Sequence, residues 1–471
     1  MDLKVCGGAY DLEEAVAIQE CINMFPELEA SGSKARIILR RFPGLKAFST
    51  ELVGKKIRGM EYMNGTLYVV ADQTLYSVSS SGVTTSIGTI EQVGRVSMAH
   101  GWADDTSIYS LVIVNGTGTG YVYNETTLST ISDTDFEAAD LVLYLDTYFV
   151  FHKTNTSQFF ISEAGSATSY IGTDIATKEG NPGKIVSMIT SHRDLILFGE
   201  DTTETWRNTG NTDFPFQRQE GTYQERGAIG LRCPAEMDNT VYYLGDDRVV
   251  YALAGYRPTM ISHHAIEKWL DEQDKSVLDE GIGMTITHQG HYWYILSFST
   301  GTWVYDATTS NLTEKKEWFQ LESWEHTNWR VTEAIPAYGR TICSDDSGYL
   351  YTLDAKTLTE NGTRQLKRRT TPFYQGERKP ISCPRLELAF KQGVANASVT
   401  DPSVMLEISR DWGRTWGSRR VRSLGKLGEY IQKAVWRRNG HARGMVFRWS
   451  VTDDVDVTIT GGFGEFTAGV G

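Results

Sequence analysis

Cysteine is scarce in this chain, and long hydrophobic runs are absent. The 471 residues include 5 cysteines, which are far apart and form no CxxC pair. This pattern is typical of reduced thiols in a cytosolic product and argues against a disulfide scaffold. A transmembrane helix needs about 18 or more apolar residues in a row, and no such stretch exists. The N-terminus also lacks the apolar core of a signal peptide, so we expect synthesis in a cytoplasm and no membrane insertion.

Proline and positive charge are also in short supply. There are 11 Pro against 45 Gly, 23 Tyr and 12 Trp, a bias that favours many short strands joined by turns. The formal net charge is −13, which argues against wrapping nucleic acid with the whole surface. The sequence has no nucleophile elbow, P-loop or dinucleotide-binding glycine motif. We therefore predict a protein that is not an enzyme, with no catalytic residue, cofactor or metal.

One pattern recurs between residues 58 and 356. A turn of Gly, Asn or Asp leads into an alternating apolar strand, then a tight turn, then a second strand rich in aromatic residues. The segments that carry it are Asn64–Val78, Ser107–Tyr123, Tyr144–Ile161, Arg193–Trp206, Asp238–Tyr251, Gln289–Asp306 and Tyr338–Leu353.

The spacing of these seven hairpins, roughly 40 to 52 residues, matches one blade of a β-propeller. A single hairpin is too small to bury its apolar face, whereas blades stacked around an axis bury those faces against each other. The sequence thus predicts an all-β fold built on a propeller of six or seven blades. An open β-sandwich or a series of meanders is the competing architecture.

The domain prediction has three parts. Residues 1–57 form an N-terminal arm or lead-in segment, with helix-like spacing between Leu12 and Met24. Residues 58–379 form the propeller, with a helical insertion near 263–280. Residues 380–471 form a small C-terminal β-sandwich that ends in an exposed Gly-rich tail.

The sharpest local motif is an Asp box at Ser409–Trp416. Such a box forms a tight β-turn, in which Asp411 accepts hydrogen bonds from backbone N–H groups and Gly413 adopts the backbone conformation that the turn requires. Sialidase-like propellers carry such boxes, which raises the alternative of a glycosidase. A sialidase also needs an arginine triad and a tyrosine nucleophile with a carboxylate partner, and we find one box outside the repeats. The structural turn is the favoured interpretation.

Positive charge is concentrated near the C-terminus. Between Arg410 and Arg448 there are 11 Lys or Arg, opposed only by Asp411 and Glu429, so the rest of the chain is more acidic than −13 indicates. Arg and Trp together are typical of protein–protein hot spots, while nucleic-acid binding and plain solvated strand faces remain alternatives. The candidate interface residues are Arg410, Arg414, Arg419, Arg420, Arg422, Trp436, Arg437, Arg438 and Arg443.

Several stretches of the chain are characteristic of one family, and the block Gly94–Gly101 is the most specific. The others, in order, are Asn23–Glu27, Arg41–Gly44, Ala265–Lys268, Val304–Ala307 and Trp436–Gly440 leading to Arg443, Phe447 and Arg448. In these stretches the sequence resembles the packaged-DNA-stabilisation proteins of short-tailed phages, the hub or nozzle proteins that plug the tail below the portal. The resemblance is patchy but colinear from about residue 23 to 460, and it omits the Asp box and the Gly-rich end.

This resemblance implies a structural virion protein in the tail, made in the host bacterial cytoplasm. It implies a homo-oligomeric, hexameric ring that closes the DNA channel, stabilises packaged DNA and forms part of the ejection conduit. The implied partners are a portal-adaptor protein, distal needle, tailspike or fibre proteins, and the double-stranded DNA in the channel. An acidic majority suits a conduit wall, because like charge keeps DNA from adhering. A propeller that binds host carbohydrate is the main alternative function.

Overall fold

The computed structural model of the chain describes residues 1–8, 19–29, 36–103, 105–376 and 379–468. Five strands precede the first repeat, and they are divided between two structural units. They are β1 (Asp2–Leu3), β2 (Cys21–Ile22), β3 (Met24–Glu29), β4 (Arg36–Arg41) and β5 (Gly44–Ser49).

Seven four-stranded blades follow within the described residues. Blade 1 contains β6 (Ile57–Met63), β7 (Thr66–Ala71), β8 (Thr74–Val78) and β9 (Thr84–Thr89); blade 2 contains β10 (Ser97–Ala103), β11 (Asp105–Val114), β12 (Tyr121–Tyr123) and β13 (Leu128–Thr130); blade 3 contains β14 (Ala139–Leu145), β15 (Tyr148–Lys153), β16 (Gln158–Ser162) and β17 (Tyr170–Thr177). Blade 4 contains β18 (Ile185–Ser191), β19 (Asp194–Gly199), β20 (Thr203–Asn208) and β21 (Phe216–Arg218); blade 5 contains β22 (Ala235–Met237), β23 (Thr240–Leu244), β24 (Val250–Ala254) and β25 (Arg257–Met260). Blade 6 contains β26 (Ile282–His288), β27 (His291–Phe298), β28 (Gly301–Asp306) and β29 (Trp318–Leu321); blade 7 contains β30 (Val331–Ala337), β31 (Arg340–Asp345), β32 (Leu350–Asp354) and, from the N-terminal segment, β5.

The first strand of each blade contacts the first strands of both neighbouring blades, and β30 contacts β6 to complete the circle. This closure confirms the predicted propeller and gives it seven blades. Neighbouring blades are also linked by hydrogen bonds near the axis. The Met60 N–H donates to Glu333 Oε1 at 3.1 Å, and the Val142 N–H donates to Ser97 Oγ at 3.1 Å.

The turn between the first and second strands is the same in six blades. Two residues in the left-handed region close each hairpin, as in a type I′ turn, whose twist matches that of the flanking strands. The pairs are Asn64–Gly65, Asp146–Thr147, His192–Arg193, Asp238–Asn239, Gln289–Gly290 and Tyr338–Gly339. All seven predicted hairpins correspond to the second and third strands of their blades.

Of the two interpretations of residues 1–57, an arm or a lead-in segment, the described part agrees with a lead-in segment. Strand β5 pairs antiparallel with β32, with Leu45 opposite Leu353, and so supplies the fourth strand of blade 7. This pairing joins the two ends of the propeller through one sheet. In the predicted helix between Leu12 and Met24, residues 9–18 lie outside the described residues, and the end of that segment is strand β2.

The C-terminal unit is a sandwich of two sheets. Its strands are β35 (Lys367–Thr370), β36 (Tyr374–Gln375), β37 (Ile381–Phe390), β38 (Ser403–Ser409), β39 (Arg420–Ser423), β40 (Ala434–Arg437), β41 (His441–Ala442), β42 (Gly444–Val451) and β43 (Thr458–Ala468), preceded by the hairpin β33 (Thr359–Glu360) and β34 (Thr363–Arg364) beside β5. One sheet has the order β3-β4-β43-β37-β40, with β1 also on β43 and β41 on β37. The other has the order β2-β35-β42-β38-β39, with β36 on β42.

Two sequence-based boundaries are corrected by this topology. The sandwich takes β35 from a segment that the sequence assigned to the propeller, because β35 pairs with β42 and not with a blade. The Gly-rich end is not an exposed tail as far as residue 468, since β43 pairs with β37, β4 and β1. Small side chains suit this strand because Val5 and Leu3 pack closely over Gly462.

Three helices lie in the described residues. Helices α1 (His264–Asp271) and α2 (Lys275–Asp279) occupy the connection from blade 5 to blade 6, and they bury Ile266, Leu270 and Leu278. Helix α3 (Ala307–Thr313) lies between the last two strands of blade 6. It begins after Asp306, whose carboxylate accepts a hydrogen bond from the Thr309 N–H at 3.0 Å.

The propeller and the sandwich share one core. Strand β2 pairs in parallel with β29 of blade 6 and antiparallel with β35, so a single sheet runs through both units. Beneath it, Phe42 packs against Trp293 and Trp329 of the propeller, with ring centroids 4.9 and 5.6 Å apart. The buried cluster continues into the sandwich as far as Trp449.

Candidate assembly interface on the sandwich

The candidate interface residues are grouped where the two sheets of the sandwich meet. Strand β39 is the edge of one sheet and β40 is the edge of the other, and the two strands are in contact. Arg420 and Arg422 lie on β39, and Trp436 and Arg437 lie on β40. The others lie on the turns beside these strands: Arg410, Arg414 and Arg419 between β38 and β39, Arg438 between β40 and β41, and Arg443 between β41 and β42.

Arginine side chains close this edge of the sandwich. The Arg422 Nε donates to the Val435 carbonyl at 2.9 Å, and Arg420 Nη2 donates to the Arg437 carbonyl at 2.6 Å. A free strand edge offers unpaired carbonyls that invite further strands. Here the guanidinium groups occupy two of those carbonyls, so this part of the edge presents positive charge.

Trp436 lies beneath this surface and does not form part of it. Its side chain is fully buried, and its Nε1 donates to the Arg420 carbonyl at 2.8 Å. An alternating strand next to a basic run does not reveal which of its faces points inwards. Trp436 therefore supports the position of β39 from the core.

The Asp box forms the turn that the sequence predicts. Asp411 Oδ1 accepts hydrogen bonds from Ser409 Oγ at 2.7 Å and from the Thr415 N–H at 2.9 Å. These bonds, with one from the Thr415 hydroxyl as the largest effect, lower the pKa of Asp411 to about 2. Trp412 and Gly413 both have positive φ. The turn holds the exposed Trp412 ring on Phe373, with centroids 3.6 Å apart.

Some of the arginines have charged partners and others have none. Arg419 lies 3.6 Å from Glu407, and Arg410 donates to the Asn439 carbonyl at 3.0 Å. Four exposed side chains form no hydrogen bond or ion pair with any part of the chain that the structure describes: Arg414, Arg437, Arg438 and Arg443. Unpaired guanidinium groups with five donors each are available to a partner.

An apolar loop beside these arginines was missed by sequence reasoning. Between β39 and β40, Leu427, Tyr430 and Ile431 are 70%, 66% and 88% exposed. Gly425 and Gly428, both with positive φ, flank the turn that projects them. The sequence signal is an apolar group in a loop between glycines, where no strand periodicity buries it. Exposed aliphatic and aromatic side chains within a basic rim are typical of a protein-binding surface.

The charge of the molecule is divided between its two units. Residues 380–471 carry 13 Lys or Arg and 9 Asp or Glu, a net charge of +4. Because the whole chain carries −13, residues 1–379, which contain the propeller together with sandwich strands β1 to β4 and β35, carry −17. The basic sandwich and the acidic propeller are therefore electrostatically complementary surfaces within one chain.

The described residues contain no group of three or more His, Cys, Asp or Glu side chains placed to hold a metal ion. Among their helices, none has the length and apolar character that crossing a membrane requires.

Two family models match the chain, one after the other. The β-propeller of bacteriophage P22 Gp10 matches residues 1–358, and the β-sandwich of the same protein matches residues 367–464. The chain belongs to the bacteriophage P22 Gp10 family. This is the family of the tail hub, or nozzle, protein of short-tailed phages, so the resemblance seen in the sequence is confirmed.

Three solved structures are weakly similar to this Gp10-family chain. A chain of the mitotic checkpoint complex is 12% identical and aligns over 70% of this chain and 97% of its own length, with a TM-score of 0.40. BamB from Moraxella catarrhalis is 10% identical and aligns over 62% of this chain and 92% of its own length, with a TM-score of 0.37. YCF48 from Cyanidioschyzon merolae is 10% identical and aligns over 66% of this chain and 99% of its own length, with a TM-score of 0.40. TM-scores of this size support no statement about the chain. No curated protein matches its sequence.

The stretches that resemble the Gp10 family join elements far apart in the chain. Asn23 is fully buried at the junction of blade 6, the sandwich and β5. Its Nδ2 donates to the Glu322 and Leu366 carbonyls, each at 2.8 Å, and its Oδ1 accepts from the Glu322 N–H at 3.1 Å. Arg41, at the end of β4 in the sandwich, donates from Nη1 to the Thr357 carbonyl at 3.0 Å, just after β32 of blade 7. These residues therefore fix the sandwich on the propeller.

Proposed function

We propose that this chain is the tail hub of a short-tailed phage, assembling as a ring below the portal and its adaptor. There the ring closes the DNA channel, stabilises packaged DNA and forms part of the ejection conduit. The observation that carries the proposal is the ordered match of both Gp10 units to one chain. The role is one of shape and contact, which needs no catalytic residue and no cofactor.

The sandwich edge is proposed as the surface that contacts a neighbouring copy in the ring. Four unpaired arginines stand beside an apolar loop, a combination that matches the Arg and aromatic content of interface hot spots. The acidic propeller of the next copy supplies the complementary charge. A head-to-tail contact of this kind is heterologous and closes into a ring when the rotation per subunit allows it.

The DNA conduit is proposed to run between copies and not along the axis of the propeller. Arg232, just before β22 of blade 5, donates to the Val96 carbonyl beside blade 2 at 3.0 Å. A bond across the axis leaves no passage for a duplex. The conduit wall is then the outer surface of several copies, whose negative charge keeps DNA from adhering. A cryo-EM map of the assembled tail with a conduit lined mainly by Arg and Lys would contradict this.

Charge reversal tests the interface. The double substitution Arg437→Glu and Arg438→Glu is expected to abolish ring formation on the adaptor while the monomer keeps its melting temperature, because both side chains are exposed. Arg257→Glu, an exposed arginine on blade 5, is the matched control and leaves assembly unchanged. Negative-stain microscopy of adaptor complexes counts the rings. Normal rings from the double variant would exclude this surface as the contact.

A further inference from the structure

A groove of 370 Å³ lies between blades 4 and 5 and has no part in the proposed assembly surface. It opens beside the turn between the first and second strands of blade 4. Its floor is apolar and is formed by the buried side chains of Ile196 on β19 and Leu253 on β24. The polar side chains that line it are those of Ser191, His192, Asp194, Arg207, Asn239 and Tyr256. An apolar floor with a few polar groups around it is typical of a small-molecule site.

The groove exists because a carboxylate replaces an aromatic side chain between the blades. Between blades 3 and 4, Tyr148 is the first residue of β15 and packs on Phe216, with ring centroids 5.8 Å apart. The equivalent first residue of β19 in blade 4 is Asp194, which is only 5% exposed. Apolar packing is often as stabilising as a buried ion pair, or more so. Stability alone therefore does not account for a charged residue here.

Asp194 is paired within the groove, and this pairing leaves one donor of its partner free. Its Oδ1 accepts from Arg207 Nε at 2.6 Å, and its Oδ2 accepts from Arg207 Nη2 at 2.9 Å and from the Tyr256 hydroxyl at 2.8 Å. The carboxylate and the guanidinium group neutralise each other. Arg207 Nη1 has no hydrogen bond to any residue that the structure describes, and 47% of the side chain is exposed. The groove therefore presents a fixed donor from a pair without net charge.

The turn beside the groove carries a second energetic cost. Among the type I′ turns of the described blades, His192–Arg193 is the pair without Gly, Asn or Asp, and its φ angles are +51° and +66°. Left-handed backbone costs more for such residues than for glycine, and strain of this kind is concentrated at functional sites. Arg193 donates from Nε to Asp146 Oδ1 of blade 3 at 2.9 Å, whereas His192 lines the groove. The strained turn thus places His192 at the groove.

The hydrogen bonds of His192 determine the role of its second ring nitrogen. Ser191 Oγ donates to Glu236 Oε1 at 3.2 Å and lies 3.0 Å from His192 Nδ1. Because the hydroxyl group has only one hydrogen, His192 Nδ1 donates to it, and Nε2 of the neutral ring is an acceptor. The Asn239 amide, which forms no hydrogen bond to the described residues, offers both a donor and an acceptor. The groove thus combines free donors and free acceptors with an apolar floor.

We propose that this groove binds a neutral hexopyranose residue, with Arg207 and Asn239 donating to its hydroxyl oxygens and His192 Nε2 accepting from one of its hydroxyl groups. A hydroxyl group both donates and accepts, so a sugar ring satisfies both kinds of group, while its C–H face covers the apolar floor. A carboxylate in place of a hydroxyl group would meet the lone pair of His192 Nε2, and an ammonium group would meet the Arg207 charge. The groove therefore favours neutral sugars. This binding does not depend on ring formation.

Ligand-observed NMR titration of the full-length chain tests the proposal at pH 8, where histidine is neutral. The probes are the methyl α-glycosides of glucose, galactose and mannose. At least one is expected to bind, whereas the matching uronic-acid and 2-amino-sugar glycosides bind at least about tenfold more weakly, the effect of one lost hydrogen bond. No binding of the three neutral glycosides, or equal binding of the charged ones, would overturn the proposal.

A disaccharide identifies the source of the sugar. It contains the bound residue α-linked to a second one. An affinity equal to that of the methyl glycoside assigns the groove to a residue at the end of a glycan chain. Loss of binding assigns it to a free monosaccharide.

Variants assign the binding to these residues. Asn239→Gly removes the amide at φ +59°, where glycine is unstrained, and should raise the Kd at least about tenfold. Asp238→Gly is the matched control, because Asp238 lies in the same turn at φ +50° but does not line the groove, and it keeps the wild-type Kd. His192→Gly removes an acceptor and relieves strain, so it should weaken binding without lowering the melting temperature. Wild-type affinity in Asn239→Gly or in His192→Gly refutes the assignment.

Discussion

Glu322 is a partly buried carboxyl group where blade 6 meets the sandwich. Burial is the largest effect on it and raises its pKa to about 7, and the nearby Glu20 adds to this, while Arg368 opposes it. In the unfolded chain the pKa is about 4.3. Between these two values the folded state holds a proton that the unfolded state has lost. The free energy of unfolding therefore falls as pH rises from about 4.3 to 7.

Substitution of Glu322 by Gln removes this titration. We expect Glu322→Gln to raise the free energy of unfolding by about 3 to 4 kcal/mol at pH 8 and to leave it nearly unchanged at pH 4. Urea unfolding at the two pH values measures the difference. The exposed Glu29→Gln is the control and should change neither value. A gain of equal size at pH 4 would show that the effect is one of packing and not of charge.

Single residues show where sequence reasoning about the interface succeeds and fails. The basic set was predictable because eleven cations in one segment cannot all be paired locally. The burial of Trp436 was not, because it depends on which face of β40 meets the opposite sheet. The exposure of Ile431 was missed because an apolar residue is normally expected to be buried, and the sequence does not show that the fold leaves this loop uncovered.

At the scale of elements, the type I′ turns of the blades differ in how well their residues suit positive φ. Blade 1 uses Asn64–Gly65, whereas blade 3 places Thr147, a β-branched residue, at φ +75°. Left-handed backbone costs about 1 kcal/mol or more for such a residue and almost nothing for glycine. Thr147→Gly is therefore expected to stabilise the chain by about 1 kcal/mol, as measured by thermal unfolding.

The equivalent turn of blade 1 provides the reverse experiment. A Cβ added at Gly65 meets no atom within 4 Å, so Gly65→Ala introduces only backbone strain and should destabilise by about 1 kcal/mol. If Thr147→Gly is neutral while Gly65→Ala destabilises, the exposed Thr147 side chain contributes interactions that offset its strain.

The hairpins could be predicted from the sequence because their partners are adjacent in the chain and their turns carry Asn, Asp or Gly. The position of β5, the strand that closes the propeller, could not be predicted in this way. Leu45 pairs with Leu353, and no local pattern indicates a partner so far along the sequence. The same limit explains the mistaken Gly-rich tail, since β43 is held by three strands from distant segments.

At the scale of the whole molecule, the two units share a sheet and a core, so they should unfold together. Strand β2 bridges β29 and β35, and the buried cluster is continuous from Trp293 to Trp449. We expect one calorimetric transition for the full chain, with equal calorimetric and van't Hoff enthalpies. Two resolved transitions in the wild type would mean that the shared sheet does not couple the units.

Asn23 is the residue whose substitution should make the propeller and the sandwich unfold in separate transitions. Its side chain makes three hydrogen bonds across the junction, and its φ of +53° is one that glycine also adopts. Asn23→Gly therefore removes the bonds without adding backbone strain. It leaves buried backbone groups unpaired at a cost of about 3 kcal/mol. Because these bonds hold the sandwich to blade 6, the variant should show a second, lower calorimetric transition.

Asn361→Gly, also at positive φ with no side-chain bond to any described residue, is the matched control and keeps one transition. A single, uniformly shifted transition in Asn23→Gly would place the coupling in the shared core alone.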